Sequence, residues 1–461
     1  KLLITDISVV KNNSLDLMEY HPQCCDDQKL FQQLFEKYET YKKTYQLVDF
    51  DDMLLEAYHC MQDNPDCLAW LREKYQYIQV DEYQDTNFLQ RDIVYLLAGE
   101  NGNLAVVGDD DQSIYGFRGA RPEVMLKFKE HYPDVKFVRM NTNYRSCSGI
   151  IQAADQLIQH NTNRFSKKFQ AFHEETGTIR RFCCTDRQEE ILKITNMIKE
   201  LLANGENPSD IAVLYRTNQQ AELVADMMMS MKIPFVSTEK IPSRYQHWMF
   251  EDIKSYRKLA ENNGWTKQDL FRVLNHPQRY LQDYQYILAG LDKKKMCQVA
   301  YRLNPVQWKR NNTMDNITDF FYALYAGYMK YLHEYAKFRN TEASELISIW
   351  KKYEEDTEKY NDWKEWGNYI IRYNRMITEA RNNKVGVRLS TMHGSKGLEW
   401  KYVFIIDCIE GVCPYVKAEK PSEIEEYLYM FSYLNSDGKT VKQSPFVPVK
   451  KRPVSSPKIK K

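Results

Sequence analysis

The sequence predicts an α/β fold built on parallel sheets, and three observations predict it. Short apolar runs alternate with helical patterns: Tyr77–Val80, then "FLQRDIVYLLAG" closed by Gly99, then "NLAVVGDDDQ". Two of these runs deliver carboxylates at their ends, Asp81 and Glu82 after the first and Asp109 to Asp111 after the second. The alternation resumes from about Thr176 with "GTIRRFCC", a helix from Arg187 to Ala203, "DIAVLYRTN", another helix and "IPFVS". Such grammar implies parallel sheets covered on both faces, with sites beyond the carboxyl ends of the strands.

The remaining elements follow in order. Residues 14 to 74 read mainly as helix, since "LFQQLFEKYETYKKTYQ" spaces its apolar residues by three and four. "VKFVRMNTNYRS" is expected to supply a third strand after the two acidic ones. Residues 250 to 384 are crowded with Tyr, Trp, Lys and Asn and nearly free of strand signals, and strand grammar returns at "GVRLSTMHGSKGLEWKYVFIID". A helical insertion inside a second α/β domain accounts for that order. The last 23 residues carry eight Lys or Arg, four Pro and no acid, the composition of a flexible basic tail.

At 461 residues the chain has room for two to four domains. Lys and Arg total 64 against 63 Asp and Glu, a formal charge of +1, so no global field draws it to a polyanion and any nucleic-acid surface must be local. No apolar run approaches the ~18 residues of a membrane span, and "KLLITDISVVKNN" lacks the core and cleavage site of a secretory signal. A soluble intracellular protein is expected. The ten cysteines form no CxxC pair and no zinc-spaced cluster, and read as reduced packing thiols. The 33 tyrosines are expected at packed edges, with some available as platforms for bases.

Two adjacent carboxylates at a strand end suit Mg²⁺, which takes oxygen ligands and keeps waters beside substrate phosphates. Asp81 would hold the metal, and Glu82 would orient or deprotonate an attacking water; the plainer alternative is a pair of loop acids or helix caps. In "VVGDDDQSIYGFRGA", Gln112 can bond a phosphate or a water. Tyr115 and Phe117, two apart with Arg118 adjacent, suit stacking on unpaired bases beside a backbone contact, or else both rings are core. Tyr144 could stack on a purine, and Arg145 could supply charge to a transferring phosphoryl group.

In this order, "VDEYQDTNFLQ", "VVGDDDQSIYGFRGA", "NYRS", "IAVLYRTN" and "LSTMHGSKGLEW" resemble the motifs of superfamily 1 DNA helicases of the UvrD, Rep and PcrA type. The resemblance implies two RecA-like parallel-sheet domains of P-loop NTPase kind with helical insertions, and ATP hydrolysis coupled to 3′ to 5′ translocation on single-stranded DNA in repair or replication. By matching motifs, Asp81 would bind Mg²⁺, Glu82 would be the catalytic base and Gln112 would sense the γ-phosphate. Tyr144 would stack on adenine and Arg145 would be an arginine finger. Glu399 and Gly397 would lie by the nucleotide. Tyr115, Phe117, Arg118, Asn218, Thr391 and His393 would contact DNA, with Phe117 standing where the family often has Trp. The implied partners are ATP, single-stranded DNA, single-to-double-strand junctions and repair or replication proteins; the implied place is the cytoplasm, at the nucleoid when on DNA, with no membrane.

The expected domains are a remnant of a helical accessory insertion (1–45), a first RecA-like domain (46–142), a second (143–249 and 385–438), a helical insertion (250–384) and the tail (439–461). Three departures from the family pattern stand out. No GxxxxGK[ST] loop precedes Asp81, and the "GKT" at Gly438 has Tyr433 where the first Gly is required. "PSEIEEYLYMFSYL" stands where the family carries a second arginine finger, and "LNHPQRYLQDYQYI" where relatives place a duplex-gripping loop. With Lys1 at the start, these imply an incomplete copy of a longer helicase. The competing expectation is a DNA-binding or scaffolding remnant without ATP turnover.

Overall fold

The computed structural model describes residues 2–13, 15–100, 102–116, 119–173, 175–261, 264–274, 276, 317–339, 343–360, 362–409 and 412. The basic tail, "PSEIEEYLYMFSYL", and all of "LNHPQRYLQDYQYI" except Leu274 and His276 lie outside them. The chain divides into two compact units, Lys1–Arg187 with Asp407–Lys461, and Gln188–Ile406.

The first unit opens with helices Leu2–Asn12, Gln28–Tyr45, Phe50–Asp63 and Pro65–Lys74. The starts of the last three are set by side chains: Asp27 accepts from the Leu30 amide, Asp49 and Asp52 form a reciprocal capping box, and Asn64 caps a helix that begins on Pro65. Charge then ties three of them together. The buried ammonium groups of Lys11 and Lys42 both meet Asp49 and Asp52, at 3.1 Å for Lys11 with Asp49 and 2.8 Å for Lys42 with each acid. Burial opposes ionisation of Asp49, but hydrogen bonds from Lys42 and from the Asp52 amide hold its carboxyl well below the usual range.

Strands β1 (Tyr77–Val80) and β2 (Asn103–Val106) run parallel, Tyr77 beside Asn103 and Val80 beside Val106. Val80, Leu104 and Val106 pack toward Tyr83, Val124 and Phe128. The opposite face differs from the expected double cover: Tyr77 is 78% exposed, and Gln79, Asn103 and Ala105 are also exposed. The expected third strand is also shorter than its sequence implies. Only Thr142–Asn143 (β3) pairs, with Gln170–Ala171 (β4), while Phe137, Val138 and Met140 are exposed and unpaired. "GTIRRFCC" forms no strand either, beyond one bridge at Cys184. Apolar alternation makes a strand only where a neighbouring backbone completes the ladder.

The second unit holds a four-stranded sheet of order β6-β7-β5-β8, all parallel, from β5 (Ile211–Tyr215), β6 (Phe235–Ser237), β7 (Val387–Thr391) and β8 (Tyr402–Ile405). All five residues of β5 and all three of β6 are buried. Between β6 and β7 in sequence come helices Trp248–Ala260, Lys267–Val273, Ile317–Arg339, Ala343–Lys359 and Trp363–Glu379, yet the two strands are sheet neighbours, Phe235 beside Val387. Many tyrosines settle here. Tyr328 donates to the buried Asp252 at 2.6 Å and Tyr353 to the Arg244 carbonyl at 2.5 Å, so each ring fills core while its hydroxyl is satisfied. Arg244, itself buried, pairs with Asp226 at 2.5 Å and Asp356 at 3.0 Å, joining helix Asn218–Ser230 to helix Ala343–Lys359.

Candidate functional site

In the first unit the ladder runs one step past the strands. The Val107 amide donates to the Val80 carbonyl at 2.8 Å and the Tyr83 amide to the Val107 carbonyl at 2.9 Å, so the acidic ends of β1 and β2 are locked side by side. Asp81 accepts from the Glu82 amide at 2.9 Å. Glu82 itself takes left-handed backbone, φ 51° and ψ 40°, a conformation costing a non-glycine residue about 1–2 kcal/mol. Both side chains reach solvent.

Gln84, fully buried, joins the two ends. Its amide nitrogen donates to Glu82 Oε2 at 2.6 Å, and its amide oxygen accepts from the Asp109 amide at 3.0 Å. Asp109 Oδ2 in turn accepts from Gln112 Nε2 at 2.8 Å. Glu82 and Gln112, expected as base and phosphate sensor, are thus linked by one hydrogen-bonded chain through Gln84 and Asp109. Gly108 is required at the crossing, because a Cβ there would collide with Gln84 Oε1 and stand 3.1 Å from the Tyr83 amide nitrogen.

A second layer grips the acidic turn from 53 to 58 residues further along the chain. Arg164 makes a two-pronged bond to Asp111, 2.7 and 2.6 Å, and the Phe165 amide donates to Asp110 at 2.8 Å. Lys167 pairs with Asp109, with Asp110 and, at 3.0 Å, with Asp111. Burial opposes the charge on Lys167, yet hydrogen bonds to Asp109 and Asp110 push its pKa up. Burial likewise opposes ionisation of Asp111, but Arg164 and Lys167 hold its carboxyl below the usual range.

The donor set at the strand ends suits Mg²⁺: all oxygen, with exposed carboxylates on a fixed backbone. Among the described residues, the one group of three acids close enough to share a cation is Glu39, Asp49 and Asp52. Lys11 and Lys42 already neutralise that group. The strand-end acids would therefore offer a cation fewer than three carboxylates, leaving other positions to waters and phosphate.

Tyr144 and Arg145 follow β3, in a different sheet from the acids. Asn143 Oδ1 accepts from the amides of both Arg145 and Ser146 at 2.9 Å, turning the chain sharply and leaving the Tyr144 ring 65% exposed. Tyr115 is half-buried just past Gln112, while Phe117 and Arg118 lie outside the described residues.

In the second unit the ends of β5 and β7 gather Asn218, Thr391 and His393. The Met392 amide donates to the Tyr215 carbonyl at 2.8 Å, and Arg216 Nη1 stands 3.4 Å from His393 Nδ1. Asn218 opens the helix after β5 and carries a buried Oδ1 without a hydrogen-bond partner, an acceptor available to a ligand donor. Thr391 Oγ1 donates to Glu239 at 2.6 Å and accepts from the Gly394 amide at 3.0 Å, which shapes the turn toward Gly397 and the exposed Glu399. Gly397 has φ +78°.

Sequence reasoning missed Gln84, Lys167, Arg164 and Glu239. Gln84 had one local signal, a glutamine two residues after Glu82; the other three act on partners distant in sequence and gave none.

Residues 1–133 match the model of the UvrD/REP helicase N-terminal domain, and residues 138–281 and 266–431 that of the UvrD-like helicase C-terminal domain. Among named relatives, a protein called putative ATP-dependent DNA helicase YjcD from Bacillus subtilis is 29% identical over 454 residues, covering 91% of this chain and 60% of the relative. The ATP-dependent DNA helicase PcrA of Staphylococcus epidermidis is 30% identical over 426 residues, covering 85% and 57%. That of Staphylococcus aureus is 29% identical over 467 residues, covering 92% and 62%. The chain spans about three-fifths of the length of these relatives.

Proposed function

We propose, starting from the fact that this chain belongs to the UvrD-like helicase family, that it forms the metal and base half of an ATP site and part of the DNA track of a helicase motor. The observation that carries this reading is the bonded chain from Glu82 through Gln84 and Asp109 to Gln112 across two parallel strand ends. Asp81 would hold Mg²⁺, which when bound neutralises phosphate oxygens. Glu82, held at φ 51°, would take a proton from the attacking water. Gln112 would register the γ-phosphate, Arg145 would balance charge on the transferring phosphoryl group, and Tyr144 would stack on adenine, with Gly397 and Glu399 near the nucleotide. Tyr115, Phe117, Arg118, Asn218, Thr391 and His393 would meet single-stranded DNA, at junctions with duplex as well. Alternating closure on ATP would then move the strand 3′ to 5′, in repair or replication in the bacterial cytoplasm. The first and second RecA-like domains would follow the boundaries drawn from the sequence.

The test uses the full-length product of the gene, with and without single-stranded DNA. Glu82→Gln is expected to lower DNA-stimulated ATP turnover by about 100-fold or more, the scale of a lost general base, while nucleotide affinity stays within about twofold. Near-normal turnover would remove Glu82 from the base role. The 461 residues alone, which contain no GxxxxGK[ST] run ahead of Asp81, are expected to show little turnover.

A further inference from the structure

The β3/β4 ladder fixes a neighbour for Tyr144. Thr142 pairs with Gln170 and Asn143 with Ala171, and the Phe172 amide donates to the Asn143 carbonyl at 2.9 Å. In a parallel ladder this register sets Phe172 level with Tyr144. The ring centroids are 4.7 Å apart with planes inclined by 37°. His173 secures the pair from one end: its Nε2 lies 2.7 Å from the Tyr144 carbonyl oxygen, and its ring stands edge-on to Phe172 at 5.6 Å.

These contacts would ordinarily accompany burial, yet Tyr144 is 65% exposed and Phe172 60%. A single exposed ring needs no explanation, but two touching rings that both keep most of their area in water make a preformed apolar surface. With Phe172 tilted against it, the exposed area of the Tyr144 ring suits a flat aromatic ligand, because every nucleobase has a π face and stacking tolerates any of them. A tyrosine alone can rotate about its side-chain bonds. With Phe172 against it, the ring plane is held before the ligand arrives, which lowers the ordering cost of binding.

We propose that Phe172 is a positioning residue for nucleobase binding: by packing on the Tyr144 ring it holds that ring in place to stack on the adenine of the nucleotide. The proposal rests on the reading of Tyr144 as the adenine contact. It adds a residue that no strand-end motif contains and makes base affinity separable from phosphate chemistry.

The probe is adenosine, which has no phosphate, added to the 461-residue chain, with saturation transfer to its H2 and H8 protons followed by NMR. Wild type should transfer saturation to both protons. Phe172→Ala should weaken adenosine binding about five- to tenfold, the scale of one stacking contact, and Phe172→Trp should restore it. Tyr144→Ala should remove the transfer, with far-ultraviolet circular dichroism unchanged in all three. Phe172→Leu, which keeps an apolar side chain but no ring, guards against a folding effect and should behave as Phe172→Ala does. If Phe172→Ala and Phe172→Leu bind like wild type while Tyr144→Ala does not, the role of Phe172 is overturned and the Tyr144 reading survives. If Tyr144→Ala also binds like wild type, or wild type shows no transfer, both fall.

Discussion

The two strand-end sites are built on opposite supports. At the ends of β1 and β2 the sheet is two-stranded with one face in water, and the site is held by polar side chains: Gln84 between the strands, and Arg164 and Lys167 clamping three successive aspartates. At the ends of β5 and β7, the two inner strands of the four-stranded sheet, β5 is wholly buried and β7 nearly so, and the turn carrying Thr391 and His393 stands on apolar packing with a few bonds added. Charge–charge and hydrogen-bonded supports are directional and respond to pH, whereas apolar packing responds to volume. The same kind of location, the carboxyl end of a parallel strand, is thus made rigid in two ways with different failure modes.

The largest expected effect tests the apolar support. Leu389 in β7 is fully buried, and Leu389→Ala should destabilise the second unit by about 2–5 kcal/mol, through lost burial and the cavity left behind. Tyr77→Ala, on the exposed face of β1, should change stability by no more than about 0.5 kcal/mol. Denaturant midpoints with matched slopes measure both, and similar losses in the two variants would erase the contrast. The next effect concerns the polar support. Gln84→Leu keeps volume but withdraws the acceptor from the Asp109 amide and a donor from Glu82, with an expected cost of about 1–3 kcal/mol. Hydrogen exchange at the Asp109 amide should accelerate with it; an unchanged exchange rate would mean that Gln84 does not bridge the strand ends.

The two supports also differ in how far the sequence revealed them. The helix from Arg187 to Ala203 was legible to the residue, and the strand in "DIAVLYRTN" and the return of strands after the helical block were legible as elements, because period and apolar content act locally. "VKFVRM" was misread as strand for a physical reason: β structure needs a partner, and the sequence of one segment does not say whether a partner is present. The acidic strand ends were legible because a carboxylate run after an apolar run is unusual. Their clamp was not, since Lys167 meets Asp109 across 58 residues of chain and a lysine among neighbours such as Ser166 and Lys168 carries no mark of its partner. In the second unit, Asn218, Thr391 and His393 were read through motif resemblance, while Glu239, which fixes Thr391, follows a different strand and was invisible.

The smallest effect is confined to acid and is the most selective for the polar support. Burial alone would raise the pKa of Asp111, but the Arg164 and Lys167 donors more than offset it, so its native pKa lies below the ordinary 3.8. A carboxyl depressed in the folded state contributes stability that is fully present above its unfolded pKa and is lost as pH falls through its native one. The window for Asp111 therefore opens near 3.8 and extends downward. Asp49 and Asp52 in the same unit are depressed as well, so acid will weaken this unit through several groups at once. Asp111→Asn isolates one of them: it is less stable at neutral pH, since Arg164 and Lys167 lose a charged partner, but it has one fewer group to protonate. Urea midpoints taken from about pH 5 to about pH 3 should then fall less steeply for the variant than for wild type. Parallel curves would show that the Asp111 clamp makes no difference to the acid response, leaving Asp49 and Asp52 to account for it.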